Sequence, residues 1–371
     1  MTLTLPPTKK RLADVGCYMV GISSLPGFET ISKLSSNETA LGPSPQAIQA
    51  AQAAMETAHR YPELGTDALP EALAARFDID PKRMTFGPGS DEVLLRLISL
   101  YSGPGDEVVH SKNAYMQFPI YAMRAGSIPV AADDDDFRHS VDKILAAVTE
   151  RTKIVIIANP DNPSGTYLPG DEVRRLHGAL AEGVLLIIDG AYHEFAAAEA
   201  YEDPSTLVHE ADNVVMTRSF SKLYSLAGLR LGWCYGPPDV IDLMERVGPS
   251  FPVNSAASAA GIAAVEDRAH CERVLAHNGK WIALLTKALT GCGLKVYPSQ
   301  TNFVLVQFPS ASLAEQADEN LKAHGIVGRK FALDDFADKL RFTVGLDHEM
   351  EAMIEVLDQF MARRSHDSAA Q

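Results

Sequence analysis

Residues 213–232 read NVVMTRSFSKLYSLAGLRLG: an apolar strand runs into Ser219, Phe220, Ser221 and Lys222, and Arg230 follows between two leucines. A lysine amine at a strand end is a candidate covalent catalyst and proton carrier, while hydroxyls before it and a guanidinium after it are groups that hold a phosphate. An S-x-S-K alone is usually a surface loop with an ordinary lysine, so the reading depends on other pieces of the same chemistry. One is GPGSDE at 87–92, a glycine-rich turn opening onto a helix. Its free N–H groups at Ser90 and Asp91 either bind a phosphate or form a plain N-cap with Ser90 capping. The glycine spacing matches neither a dinucleotide fingerprint nor a P-loop. Two more pieces are Asn162, in the turn NPDNPSG at 159–165, and Asp189, which closes the apolar run VLLIID at 184–189.

The elements that must position these residues follow from the apolar runs. KIVIIA at 153–158, VLLIID at 184–189 and NVVM at 213–216 are continuously apolar rather than alternating, with helical stretches such as 176–181 between them. That pattern predicts an α/β fold with a mostly parallel sheet covered on both faces, in which ligands collect beyond the carboxyl ends of the strands. Strands are also expected at 84–86, 106–110 and 229–235, and helices at 45–58, 69–77, 93–100, 115–123 and 239–246. The alanine-rich stretch 256–289 reads as a long helix, broken once, that leads to a smaller domain with strands at 295–297, 303–307 and 340–344 and a helix at 313–324. In the last helix Met350, Met353, Ile354, Leu357, Phe360 and Met361 share one apolar face and need no functional purpose. The division expected is an N-terminal arm over 1–45, a large domain over 46–255, and a connecting helix with a small α+β domain over 256–371. The tail from Ser365 is expected to be disordered, and Asp133–Asp136 to be a solvated surface run.

Asn162, Asp189 and Lys222 thus fall at or just past strand ends, where one crevice can hold all three. A buried aspartate without a cation would take up a proton. The protonated ring nitrogen of pyridoxal 5'-phosphate is a partner that would keep Asp189 charged and make the ring an electron sink. In this reading Lys222 is the covalent lysine, and Asn162 and Tyr192 are candidates for the ring hydroxyl. Tyr115 either lies on the ring face or packs in the core. Ser219, Ser221, Arg230 and the backbone at Ser90 and Asp91 hold the phosphate. Asn37, among serines, is a turn residue or a polar group facing a ligand.

Composition bounds the alternatives. The 371 residues are 46% hydrophobic and 22% charged, as in a soluble globular protein long enough for one large and one smaller domain. A formal charge of -15 argues against nonspecific attraction to nucleic acid or an anionic membrane. Cys17, Cys234, Cys271 and Cys292 have no C-x-x-C spacing, so neither a structural metal nor a disulfide scaffold is expected. Without a signal-peptide core or a long apolar span, the cytoplasm is the expected compartment.

With these residues in place the chain resembles the fold-type I pyridoxal-phosphate aminotransferases, and most nearly the histidinol-phosphate aminotransferase family. The likeness rests on SSNET at 35–39, YP at 61–62, GPGSDE, NPDNPSG, DGAYHEF at 189–195, SFSK and LAGLRLG at 226–232, then TNFVLV at 301–306, HGIVGRKF at 324–331 and LRFTVG at 340–345. It covers nearly the whole chain. It implies Lys222 as the lysine bound to the cofactor, Asp189 on the pyridine nitrogen, Asn162 and Tyr192 on the ring hydroxyl, and Tyr115 stacked on the ring. It also implies that Tyr61 reaches the cofactor phosphate of the neighbouring subunit in a homodimer with two shared sites. Arg341 and Arg329 would take substrate anions, with Asn37 beside the substrate.

The implied reaction passes an amino group from L-glutamate to imidazole acetol phosphate, giving histidinol phosphate and 2-oxoglutarate. The alternatives are an aromatic amino acid aminotransferase and, further off, a decarboxylase of a phosphorylated amino acid on the same cofactor. A non-enzymatic cofactor-binding regulator is the alternative from another class; a basic winged-helix extension would favour it, and none is expected from these residues. Departures from the family fall near the substrate: Gly190 for a glutamate, Asn113 and Ala114 for a proline-threonine pair, and Gly328 for a larger residue. The arm tyrosine that meets substrate phosphate in the family corresponds to Tyr18 or falls near Phe28, which lacks a hydroxyl.

Overall fold

A computed structural model describes residues 12, 21–62 and 68–369, with side chains through Arg364. Tyr18 lies outside the described residues. In chain order the strands are β1 (Ser32–Lys33), β2 (Met84–Gly87), β3 (Glu107–Ser111), β4 (Ile128–Ala132), β5 (Thr152–Ala158), β6 (Leu185–Asp189), β7 (Val214–Ser219), β8 (Gly232–Tyr235), β9 (Lys295–Val296), β10 (Phe303–Gln307), β11 (Ile326–Val327) and β12 (Lys339–Thr343).

A seven-stranded sheet has the order β2-β8-β7-β6-β5-β3-β4. Its neighbours are parallel except β8, which runs antiparallel to both β7 and β2. The continuous apolar runs explain this architecture. Ile154, Val155, Ile156 and Ile157 have 0% exposure, so successive residues are buried on opposite faces, and helices must cover both sides. One consequence decides where chemistry can occur. With β8 reversed, the carboxyl ends of β2, β5, β6 and β7 and the start of β8 all reach the same sheet edge.

The connecting helix is two helices, Ser255–Glu266 and Arg268–Gly291, separated at Asp267. Asp267 caps the second helix by accepting from His270 N at 3.1 Å, and it also accepts the Ser44 hydroxyl at 2.5 Å. Beyond it a three-stranded antiparallel sheet, β12-β10-β9, packs with Trp281, Leu285, Met350, Met353 and Leu357 in a second core. The early strand β1 pairs in parallel with β11, so the segment leading to Asn37 is tied to the C-terminal part of the chain.

Several expectations need correction. The strand expected from Leu229 begins only at Gly232, because Ala227–Leu229 forms a 3-10 turn and Arg230 takes a left-handed φ of 55°. The helix after Tyr115 starts at Gln117. β4 and the helices Val141–Ala147 and Pro204–Glu210 were not anticipated. The last helix continues through Ala369, so its backbone is helical over part of the tail expected to be disordered; residues 370–371 lie outside the described residues. The acidic run is not uniformly solvated, since the Asp134 side chain is 5% exposed and faces His139.

Candidate active site

Along the common sheet edge lies a cavity of about 500 Å³. The large sheet and its connections supply Ser90, Asp91, Tyr115, Asn162, Asp189, Tyr192, Ser219, Ser221, Lys222 and Arg230 to its lining. Asn37 enters after β1, and Arg329 and Arg341 enter from the C-terminal part. The cavity therefore gathers the sequence-selected residues except Tyr61. That ring is 79% exposed and stacks on Phe251, with centroids 4.5 Å apart.

Lys222 follows β7 in a tight turn. Its Nζ donates to the Asn37 carbonyl oxygen at 3.4 Å and lies 5.6 Å from the centre of the Tyr192 ring. Asn37 has a left-handed φ of 55° and serves as a hub. Its Nδ2 donates to Tyr192 Oη at 2.7 Å, its backbone N–H donates to Thr343 Oγ1 at 2.9 Å, and its carbonyl accepts from Asn302 Nδ2 at 3.0 Å. Asn302 and Thr343 were missed as site-supporting residues. The signal available was a polar residue at the edge of an apolar strand, in TNFVLV and LRFTVG, which alone indicates no partner.

Asp189 ends β6, buried, with Oδ1 accepting from Thr217 Oγ1 and Ala191 N, each at 3.2 Å. Burial, reinforced by the Asp91 charge, pushes its carboxyl up to about 7. None of the described residues offers it an ion pair. A carboxylate in this position is matched to a cationic ligand atom. Burial likewise raises the Tyr192 hydroxyl to about 12.

At the other end, the helix Ser90–Tyr101 begins behind Gly89, which has φ 86° and no side-chain cap. A Cβ on Gly89 would sit 2.2 Å from Arg230 Nη2, and one on Gly232 would sit 2.2 Å from Ser90 N. Both glycines are thus required for the helix start and the guanidinium to converge. Arg230 Nη1 donates to Ser221 Oγ at 3.4 Å and Nη2 faces Asp91 Oδ2 at 3.4 Å. Asp91 Oδ1 accepts from Tyr115 and Tyr121 at 3.1 and 2.7 Å. Backbone N–H groups, two serine hydroxyls and a guanidinium form a phosphate-binding donor set.

Arg329 and Arg341 pair through their backbones, N–H to carbonyl oxygen, at 2.8 and 2.9 Å. Arg341 donates to Asn162 Oδ1 and, at 3.1 Å, to the Ser35 carbonyl oxygen, and its guanidinium lies 4.8 Å from the Phe303 ring centre. The Arg329 guanidinium lies 5.6 Å from the Phe331 ring centre. In all, the cavity is lined by five basic and three acidic side chains in a strongly acidic protein.

Comparison with known proteins assigns this architecture. Residues 29–357 match the family described as aminotransferase class I and II. The chain belongs to that aminotransferase family. Among relatives, it is 46% identical to the histidinol-phosphate aminotransferase of Rhodospirillum centenum over 94% of this chain and 97% of the relative. It is 44% identical to that of Paramagnetospirillum magneticum over 97% and 99%. This aminotransferase also superimposes on histidinol-phosphate aminotransferase from Sinorhizobium meliloti, solved in complex with pyridoxal-5'-phosphate, with TM-score 0.85 and 29% identity over 90% of this chain and 92% of that one. The fold-type I expectation is borne out.

The arm and loop departures sit as follows. Phe28 is 39% exposed, packs by Gly325 and does not line the cavity. A Cβ on Gly328 would meet the Phe342 ring at 2.6 Å, so β12 packing excludes the larger residue of the family there. A Cβ on Gly190 would lie 3.2 Å from the Thr217 carbonyl, a tight fit rather than an open space. Among the described residues no cluster has the composition of a metal site, and no helix is long and apolar enough to cross a membrane.

Proposed function

We propose that this aminotransferase uses pyridoxal 5'-phosphate and converts imidazole acetol phosphate and L-glutamate to histidinol phosphate and 2-oxoglutarate. The observation that carries the substrate is full-length similarity, at 42–46% identity, to proteins named for that reaction. The cavity supports the cofactor on its own terms. Asp189 has no ion-pair partner among the described residues, a Cβ at Gly89 or Gly232 would collide with the Arg230 guanidinium or Ser90 N, and Lys222 lines the same cavity. When bound, the cofactor supplies an electron sink for the charge left at the substrate Cα.

The chain supplies the rest. Lys222 Nζ would hold the cofactor covalently and, as a free amine, would accept the Cα proton. Asp189 keeps the pyridine nitrogen protonated, and Asn162 and Tyr192 orient the ring hydroxyl while Tyr115 covers the ring. Ser219, Ser221, Arg230 and the backbone N–H groups of Ser90 and Asp91 fix the phosphate. Arg329 and Arg341 serve both half-reactions, receiving a phosphate from one substrate and carboxylates from the other, with Asn37 beside them. Comparing kcat/KM for histidinol phosphate and phenylalanine tests the assignment. At least about a hundredfold preference for histidinol phosphate is expected, because phenylalanine lacks the phosphate that a guanidinium would bind. A preference for phenylalanine would identify an aromatic aminotransferase instead, and carbon dioxide release without amino transfer would identify a decarboxylase.

The same reading extends to a homodimer with shared sites. Tyr61 is absent from its own cavity yet exposed, and it stacks on Phe251, which is itself 40% exposed. Such an exposed aromatic pair suits burial against a second copy, whose cofactor phosphate Tyr61 would reach. Tyr61→Ala mixed with Lys222→Ala after joint refolding should show more activity than the two alone summed, since each hybrid dimer regains one intact site. Strictly additive activity would place Tyr61 outside any shared site.

A further inference from the structure

The acidic run at 133–136 and the turn at 159–165 meet around one buried histidine. The His139 side chain is 3% exposed, and its Nε2 donates to the Ala158 carbonyl oxygen at 2.9 Å. Asp161 Oδ1 lies 3.5 Å from Nε2, and Asp134 Oδ1 lies 3.8 Å from Nδ1. Those two carboxylate oxygens are buried and have no hydrogen-bond partner among the described residues, where the group facing them is the imidazole ring between them. Burial works against charge on His139, but Asp161, Asp134 and the Ala158 carbonyl outweigh it and the net shift is upward. Burial raises Asp161 to about 6, with His139 and Ser164 pulling the other way. The neighbouring His110, on β3, is shifted down by burial. Lys143 Nζ donates to the Asp134 backbone carbonyl at 2.8 Å and pairs with Asp135 Oδ1 at 2.6 Å, the charges of Lys143 and Lys112 act on Asp134, and Asn113 N donates to Asp134 Oδ2 at 3.0 Å.

Asp161 is also the brace of its turn. Its Oδ2 accepts from Ser164 N and Oγ at 3.2 and 2.7 Å, its N–H donates to the Thr166 carbonyl at 2.8 Å, and its carbonyl accepts from Gly165 N at 3.0 Å. The next residue, Asn162, accepts from Arg341 inside the cavity. We propose that His139 is a positioning residue for the reaction: as a buried imidazolium it neutralises Asp161 and so fixes the turn that presents Asn162 to the cavity. The inference rests on the role of Asn162 given above. His139 touches neither substrate nor cofactor in this arrangement, since it does not line the cavity.

A charge role and a packing role separate in the holoenzymes of His139→Gln, Asp161→Asn and the double variant, assayed at about pH 6 and about pH 8.5. His139→Gln should lose about tenfold in kcat/KM and in cofactor retention after dialysis at the higher pH, and clearly less at the lower pH. There a proton on Asp161 takes over the work of the imidazolium. Asp161→Asn and the double variant should stay within about threefold of the parent at both pH values, because a neutral amide needs no counter-charge. An equal loss at both pH values, a double variant as impaired as His139→Gln, an impaired Asp161→Asn, or an unimpaired His139→Gln would each overturn the proposal. If His139→Gln does not fold, a folded double variant that retains cofactor like the parent supports the inference, and a double variant that also fails to fold overturns it. Asn162→Ala is the separate control: should it bind cofactor and turn over normally, the role of Asn162 fails whatever the charge cycle shows.

Discussion

Replacing Lys222 by alanine is expected to abolish amino transfer, lowering kcat by about 10⁴-fold or more, because the covalent attachment and the proton acceptor are lost together. Fold and stability should change little. The amine's hydrogen bond to the Asn37 carbonyl is long, at 3.4 Å, and the side chain lines a cavity rather than a packed core. The decisive measurement is a single-turnover reaction of cofactor-loaded variant with L-glutamate, followed by absorbance, beside borohydride reduction and mass analysis of the peptide that carries residue 222. The parent should retain the cofactor on that peptide after reduction and the variant should not. A variant that kept both the covalent label and parental turnover would remove Lys222 from the centre of the site. Added small amines should recover part of the lost proton transfer, whereas a change in protein conformation would not respond to them.

The residues around that lysine differ in how far the sequence could lead to them. Asn162, Asp189 and Ser219 were legible because apolar runs mark buried parallel strands, and parallel strands converge their carboxyl ends on one edge. Arg230 was legible as an anion ligand, but its conformation was not. An L-R-L-G run in apolar surroundings reads as a strand, while the structure uses a left-handed arginine to turn the guanidinium back toward Ser221 and Asp91. Asn37 remained ambiguous because its meaning depends on partners about 155 and 306 positions away, Tyr192 and Thr343. No local pattern encodes such pairings. The pairing of β1 with β11 brings Asn37 to them, and a two-residue strand leaves almost no periodicity to detect. Asp134 shows the opposite failure. Four consecutive aspartates imply a solvated loop on average, yet one is turned inward by a histidine five residues on. Composition averages over a run, and burial does not.

The second large effect comes from Asp189, and its sign on stability is opposite to its sign on catalysis. In the cofactor-free protein burial holds this carboxyl near 7 against an ordinary value of 3.8. Between those values the folded protein keeps a proton that the unfolded chain has released. The group therefore opposes folding progressively as pH rises from about 4 to 7, by a total on the order of 4 kcal/mol, and adds no further change above that window. Asp189→Asn keeps a side-chain oxygen for Thr217 and Ala191 but removes the titration. The cofactor-free variant should accordingly match the parent near pH 4 and exceed it in melting temperature by pH 8, with the difference opening across the window. Catalysis should move the other way. An amide cannot stabilise a protonated pyridine nitrogen, so kcat should fall by about 10²–10³-fold and the cofactor should bind more weakly. Addition of pyridoxal phosphate should then raise the melting temperature of the parent more than that of the variant, since only the parent gains an ion pair for a charge already buried. Melting curves of the two proteins, with and without cofactor across this pH range, check both halves. A variant no more stable than the parent at pH 8, or one stabilised equally by cofactor, would show that Asp189 is already neutralised inside the protein and is not held in reserve for the ring nitrogen.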